Sequence, residues 1–242
     1  MNDTLNKRLG HFLALGAACL ALGACASGHS SRSAKPHVAP FANPGAVIAA
    51  EMAFARAAQE QGQWTAFANS AAPGAEMFVP QKVNAAQWLK GRANPPVAAH
   101  WQAHSVWSSC DGSYAVTHGD WERPGSTGNF TTVWQRQADG RYKWLLDMSL
   151  ATEKAFDPSD MVQAHVAECL KKGDHPAPTD SAAVSGDVTS EPNTGRATDG
   201  TLVWRTAEKA DDNREITVWM RREGRMEQVL HDQMRGSNLG PR

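Results

Sequence analysis

Four runs of strand-like alternation, at residues 101–108, 113–122, 129–137 and 142–149, are punctuated by Asp111-Gly112, by Pro124-Gly125-Ser126-Thr127-Gly128 and by Asp139-Gly140. Asp-Gly and Gly-rich pairs supply the positive φ that tight hairpins need, and connections this short leave no room for crossover helices. The centre of the chain therefore reads as an antiparallel meander. Tyr114, Val116 and His118 fall on one face of the second run, with Ala115, Thr117 and Trp121 on the other, while Val133 and Trp134 point opposite ways. Apolar side chains on both faces require two covers, one made by helices and the other by a partner subunit in a homodimer or by later chain.

Helices precede the meander. Asn43-Pro44 has the form of an N-cap and first turn, and Val47, Ile48, Met52, Phe54, Ala55 and Ala58 recur at helical spacing until Gly62. A second short helix spans 63–70 with Trp64 and Phe67, ended by Pro73-Gly74, and Asn84 caps a third that carries Trp88 and Leu89. Past the meander, the stripe Val162, His165, Val166, Cys169 and Leu170 suits a helix within 151–172. Residues 173–198, rich in Pro, Ser, Asp and Gly, read as a disordered linker. Three further short strands in 199–242 are too few for a core of their own, so they add to the main sheet or pack on it.

At the N-terminus, Lys7 and Arg8 precede an apolar run at 9–24 that is shorter than the roughly 20 residues of a membrane span. It ends in Leu22-Gly23-Ala24-Cys25, which resembles the lipobox of bacterial lipoproteins. That resemblance implies cleavage after residue 24, lipid on Cys25 as the membrane attachment, and a periplasm-facing protein on the outer membrane, since no Asp follows the cysteine. The alternative is an ordinary secretory signal. Residues 25–43 read as a flexible tether.

With 24 Lys and Arg against 25 Asp and Glu, the chain has no basic stripe, which argues against a nucleic-acid partner. Cys19 leaves with the signal, so Cys110 and Cys169 remain as a disulfide candidate in an oxidising compartment, the alternative being two buried thiols. No cofactor motif is present, and His100 and His104, four residues apart, have no adjoining acidic or thiol partner to complete a metal site.

Glu51, Phe54, Ala55, Ala58, Gly62 and Phe67 in the opening helices carry a family resemblance. So do Trp107, Asp111-Gly112, the run Ala115 to Trp121, Gly128-Asn129-Phe130, Thr132-Val133-Trp134, the hairpin Asp139 to Trp144, and Asp147. Together they resemble nuclear transport factor 2-like, cystatin-like domains of the ketosteroid isomerase-related branch, over residues 44–150. The resemblance implies an α+β fold in which a curved antiparallel sheet wraps helices as a cone around a cavity. Such folds host isomerases, dehydratases, ligand carriers and subunits without chemistry.

In the isomerase relatives a carboxylate base faces an oxyanion hole. The candidates here are His118 as general base with Tyr114 on the same strand face, and Asp147 at the cavity mouth. Glu51 reads as an exposed helix residue. The tryptophans are more suggestive of ligand binding, with nine in the chain against two tyrosines; Trp101, Trp121 and Trp134, together with Tyr114 and His118, form the expected pocket lining. The leading expectation is a non-catalytic lipoprotein that binds a small apolar ligand or an envelope partner. The alternatives are an isomerase- or hydrolase-type enzyme using His118 with Tyr114 or Asp147, and a structural dimer.

Overall fold

The computed structural model describes residues 41–152, 156, 161–171, 193–208 and 214–234. The apolar N-terminal run, Cys25, most of the tether and most of the 173–198 segment lie outside these residues.

Helix α1 (Pro44–Gln61) starts where Asn43 Oδ1 accepts from the Ala46 amide at 3.1 Å. Helix α2 (Gln63–Ser70) follows a glycine, which has no side chain to cap it, and the cap comes from elsewhere. Asn94 Oδ1 accepts from the amides of Trp64 and Thr65, at 2.7 and 3.2 Å. The chain then enters β1 (Ala71–Phe78), so Pro73-Gly74 lies inside a strand rather than beyond a helix end. Proline cannot donate to a ladder, and the pairing shifts register between Ala71 and Glu76. A short β2 (Lys82–Asn84) and α3 (Ala85–Leu89) follow, Asn84 capping the latter.

The meander forms as β3 (His100–Ser108), β4 (Tyr114–Arg123), β5 (Ser126–Arg136) and β6 (Tyr142–Thr152). Strand β5 begins three residues earlier than its apolar pattern because Gly128 belongs to the ladder and not to the turn. A Cβ there would strike the Leu150 carbonyl oxygen and the Trp121 ring.

One expectation fails outright. Within the segment read as a helix at 151–172, residues 163–166 form strand β7 (Gln163–Val166), laid parallel to β3. The helical spacing there was fortuitous, because the strand's backbone is satisfied by the sheet edge and by the bond from the Ala167 amide to the Ser108 carbonyl at 2.9 Å. The sheet order is β2-β1-β6-β5-β4-β3-β7, antiparallel in its centre and parallel where β1 meets β6 and β7 meets β3.

A second, four-stranded sheet has the order β11-β10-β9-β8, from β8 (Thr194–Arg196), β9 (Leu202–Glu208), β10 (Arg214–Arg222) and β11 (Arg225–Met234). Strand β8 lies within the expected linker. It escapes an apolar reading because Gly195 must leave room for Trp204, whose indole occupies the space a Cβ would take.

Each face of the main sheet has its own core. On the concave side α1 and α2 bury Val47, Phe54, Ala58 and Phe67 against Trp101, Trp121, Trp134 and Trp144. On the convex side Trp107, Val116, Val133, Leu146 and Met148 meet Leu202, Trp204, Ile216 and Val218 of the second sheet. Of the two covers considered for the convex face, the chain itself supplies one, and the surface offered for a homodimer is occupied. Cys110 and Cys169 are joined in a disulfide with Cα atoms 5.1 Å apart, tying the β3–β4 turn to the residues after β7. That turn also donates to the connection between β8 and β9, from the Cys110 amide to Thr201 Oγ1 at 2.9 Å and from the Asp111 amide to Asp199 Oδ2 at 2.8 Å.

Candidate functional site

Val47, Glu51, Phe54 and Ala58 recur at intervals of four, three and four along α1, so all four fall on the stripe that faces the sheet. Glu51 is thus buried, 2 % exposed, and not on the solvent face. A buried carboxylate is costly unless donors surround it. The sheet provides them: Trp101 Nε1 donates to Oε1 at 2.8 Å, while Thr117 Oγ1 and Trp134 Nε1 donate to Oε2 at 2.6 and 3.1 Å. Trp134 Nε1 also reaches Thr117 Oγ1 at 3.0 Å, which closes the cluster.

The polar row continues across the concave face. Thr117, Thr132 and Asp147 are Cα partners on β4, β5 and β6, and Thr132 Oγ1 donates to Asp147 Oδ2 at 2.8 Å. Asp147 is therefore a buried mid-strand residue, not a group at the cavity mouth. The rest of the interior is aromatic. Phe54 contacts Phe67 and Trp101 edge-on with centroids 4.8 and 4.9 Å apart, and Trp144 Nε1 donates to the Phe67 carbonyl at 3.0 Å. Of the tryptophans expected to line a cavity, Trp121 and Trp134 are buried in the core on this face of the sheet.

A groove of about 300 Å³ stays open between α1 and β3. Glu51 and Trp101 line it, with walls that include Ile48, Met52, Ala55 and Ala103, and Arg56 and His100 among its polar residues. On the other flank of α1, Trp134 lines a more open hollow of about 510 Å³ with Arg141 and Tyr142. Of the five expected lining residues, Trp101 alone borders the α1–β3 groove. Trp121 is buried in the concave core, its Nε1 donating to the Asn129 carbonyl at 3.0 Å.

Tyr114 and His118 lie on the opposite face of the sheet. The Tyr114 ring meets Trp204 at a centroid distance of 5.1 Å. His118 Nδ1 sits 3.1 Å from Thr131 Oγ1 and 3.8 Å from Asp232 Oδ2 on β11, at the joint between the sheets. Burial lowers the His118 pKa below the ordinary imidazole value, opposed by the charges of Asp232 and Asp120. Burial also raises the Asp232 carboxyl, opposed by His118. The strand alternation that puts His118 with Tyr114 separates both from Asp147, so the pairing of His118 with Asp147 does not form. Glu51 and Thr117 are the polar residues that sequence reasoning missed, and the four-three-four spacing around Glu51 was the signal that could have found the first.

Among the described residues no cluster of three or more His, Cys, Asp or Glu could hold a metal, and no helix is long and apolar enough to cross a membrane.

No family model and no curated protein matches the sequence. Several solved structures are similar to part of the chain. A candidate ketosteroid isomerase from Parabacteroides distasonis shares 16 % identity at a TM-score of 0.37, covering 47 % of this chain and 96 % of its own. A protein of unknown function with a cystatin-like fold from Methylobium petroleophilum shares 9 % at 0.34, over 51 % and 87 %. A nuclear transport factor 2-like protein of unknown function from Burkholderia xenovorans shares 11 % at 0.33, over 48 % and 90 %. These neighbours are nuclear transport factor 2-like, ketosteroid isomerase-like and cystatin-like proteins, similar in fold over about half of this chain. Likeness at that level says nothing of chemistry.

Proposed function

We propose that the protein is an envelope lipoprotein, acylated on Cys25 and facing the periplasm from the outer membrane, whose α1–β3 groove binds a small, largely apolar ligand without transforming it. The groove itself carries this reading: it is mostly apolar, it is open to solvent, and its one buried acid is held by the protein's own donors. A general base would have to present its oxygens to a substrate, whereas those of Glu51 are engaged by Trp101, Thr117 and Trp134. His118 and Asp232 are across the sheet from the groove, while His100 and Glu122, beside it, stand 4.0 Å apart, beyond hydrogen-bond reach. Anchoring rests on the Leu22-Gly23-Ala24-Cys25 sequence.

Native mass spectrometry of protein purified from envelopes tests the proposal. The wild type should carry a small-molecule adduct that Ala55→Trp, which fills the groove from α1, loses while staying folded. An adduct retained by Ala55→Trp, or none on the wild type, would contradict it. An unlipidated mature N-terminus would contradict the anchor separately.

A further inference from the structure

We infer that the groove takes its ligand tail-first and selects a short single-chain amphiphile with an anionic head, of which a medium-length carboxylic acid is the simplest, the head being held by Arg56. The inference rests on the groove being a binding site.

Charge is distributed unevenly along the groove. At its depth, Glu51 is 2 % exposed and already accepts from Trp101, Thr117 and Trp134. Arg56 is exposed, lines the same groove, and forms no ion pair with any described residue. A cationic head placed deep would have to displace donors that are built into the fold, and at the mouth it would meet the guanidinium. An anionic head at the mouth meets a planar fork of donors that matches a carboxylate and stays partly hydrated, so its desolvation cost is small. His100 stands beside the mouth, 4.0 Å from the Glu122 carboxylate, and adds positive charge only when protonated. The walls, Ile48, Ala55, Ala103 and the Trp101 ring, with the exposed Met52 at the rim, offer the tail apolar surface. At about 30 Å³ for each small group, a volume of about 300 Å³ holds on the order of ten non-hydrogen atoms. That accommodates one short chain.

Three probes with one tail and different heads separate the claims: octanoate, octanol and octylammonium, titrated calorimetrically at neutral pH into full-length protein in neutral detergent micelles, with partition into empty micelles subtracted. Octanoate should bind at least about tenfold more tightly than the other two. Arg56→Gln should erase that preference and leave octanol binding unchanged. Equal binding of the three, or a preference for octanoate that survives Arg56→Gln, overturns the assignment of the head group while the groove stands. Binding of none of the three overturns the groove itself.

Discussion

Trp101 and Glu51, fifty residues apart in the chain, meet at 2.8 Å where the first strand of the meander passes under the first helix. That bond joins the helix to the sheet at the depth of the groove and makes Glu51 a structural acid. Truncating Glu51→Ala removes the acceptor shared by Trp101 Nε1, Thr117 Oγ1 and Trp134 Nε1 and leaves the last two bonded to each other, at a cost of about 1–3 kcal/mol. Urea denaturation checks it. A double-mutant cycle with Trp101→Phe should show coupling of about 0.5 kcal/mol or more, and additive losses would show that the two residues act independently.

The convex face depends on the second sheet. A chain ending at residue 171 would expose Trp107, Val116, Val133, Leu146 and Met148 together, a patch of the kind that drives association. Size-exclusion chromatography should show this truncated chain as dimers or larger species while the full chain runs as a monomer. A monomeric truncation would mean that the face tolerates water.

Cys110 and Cys169 close a loop of 59 residues. Losing the bond through Cys110→Ser should lower stability by about 2–4 kcal/mol. The same loss should follow mild reduction of the wild type. Free thiols at both positions in protein isolated without reductant would contradict the pairing.

The joint between the sheets should respond to acid through His118. Its folded pKa lies below the ordinary value of 6.5 because burial disfavours the charged ring. Between that lowered value and 6.5 the unfolded chain binds a proton that the folded chain does not, so acidification through this window costs stability. Asp232 works the other way: its raised carboxyl gains stability as pH falls through the folded value toward 3.8. Replacing His118→Gln should flatten the loss just below pH 6.5, and Asp232→Asn should push the His118 titration lower still by removing the charge that raises it. Imidazole NMR titrations read both, and a His118 that titrates at or above 6.5 would contradict the burial.

The meander was legible because turn chemistry is local: Asp111-Gly112 and Asp139-Gly140 mark hairpins whatever surrounds them. Its two apolar faces also foretold a second cover. What could not be read was set by distant partners. Glu51 is buried because three donors converge on it from β3, β4 and β5, and none of them is near it in sequence. The segment around Val166 passes the helical test yet forms a strand because the edge of β3 is there to pair with it. Strand β8 is hidden for the same reason, since the bulk that a strand would show at Gly195 is supplied by Trp204. The candidate site was legible only in Trp101. His118 and Tyr114 were rightly placed on one face, and that face turned out to be the convex one.

Indole N–H resonances offer the most direct test of the groove. On titrating octanoate into the full-length protein, the Trp101 signal, assigned by Trp101→Phe, should shift saturably because its N–H is bonded to Glu51 beside the bound chain. The signals of Trp121, in the concave core away from the groove, and of Trp204, between the sheets, should stay in place. Movement of Trp204 with a stationary Trp101 would place the ligand elsewhere and contradict the account.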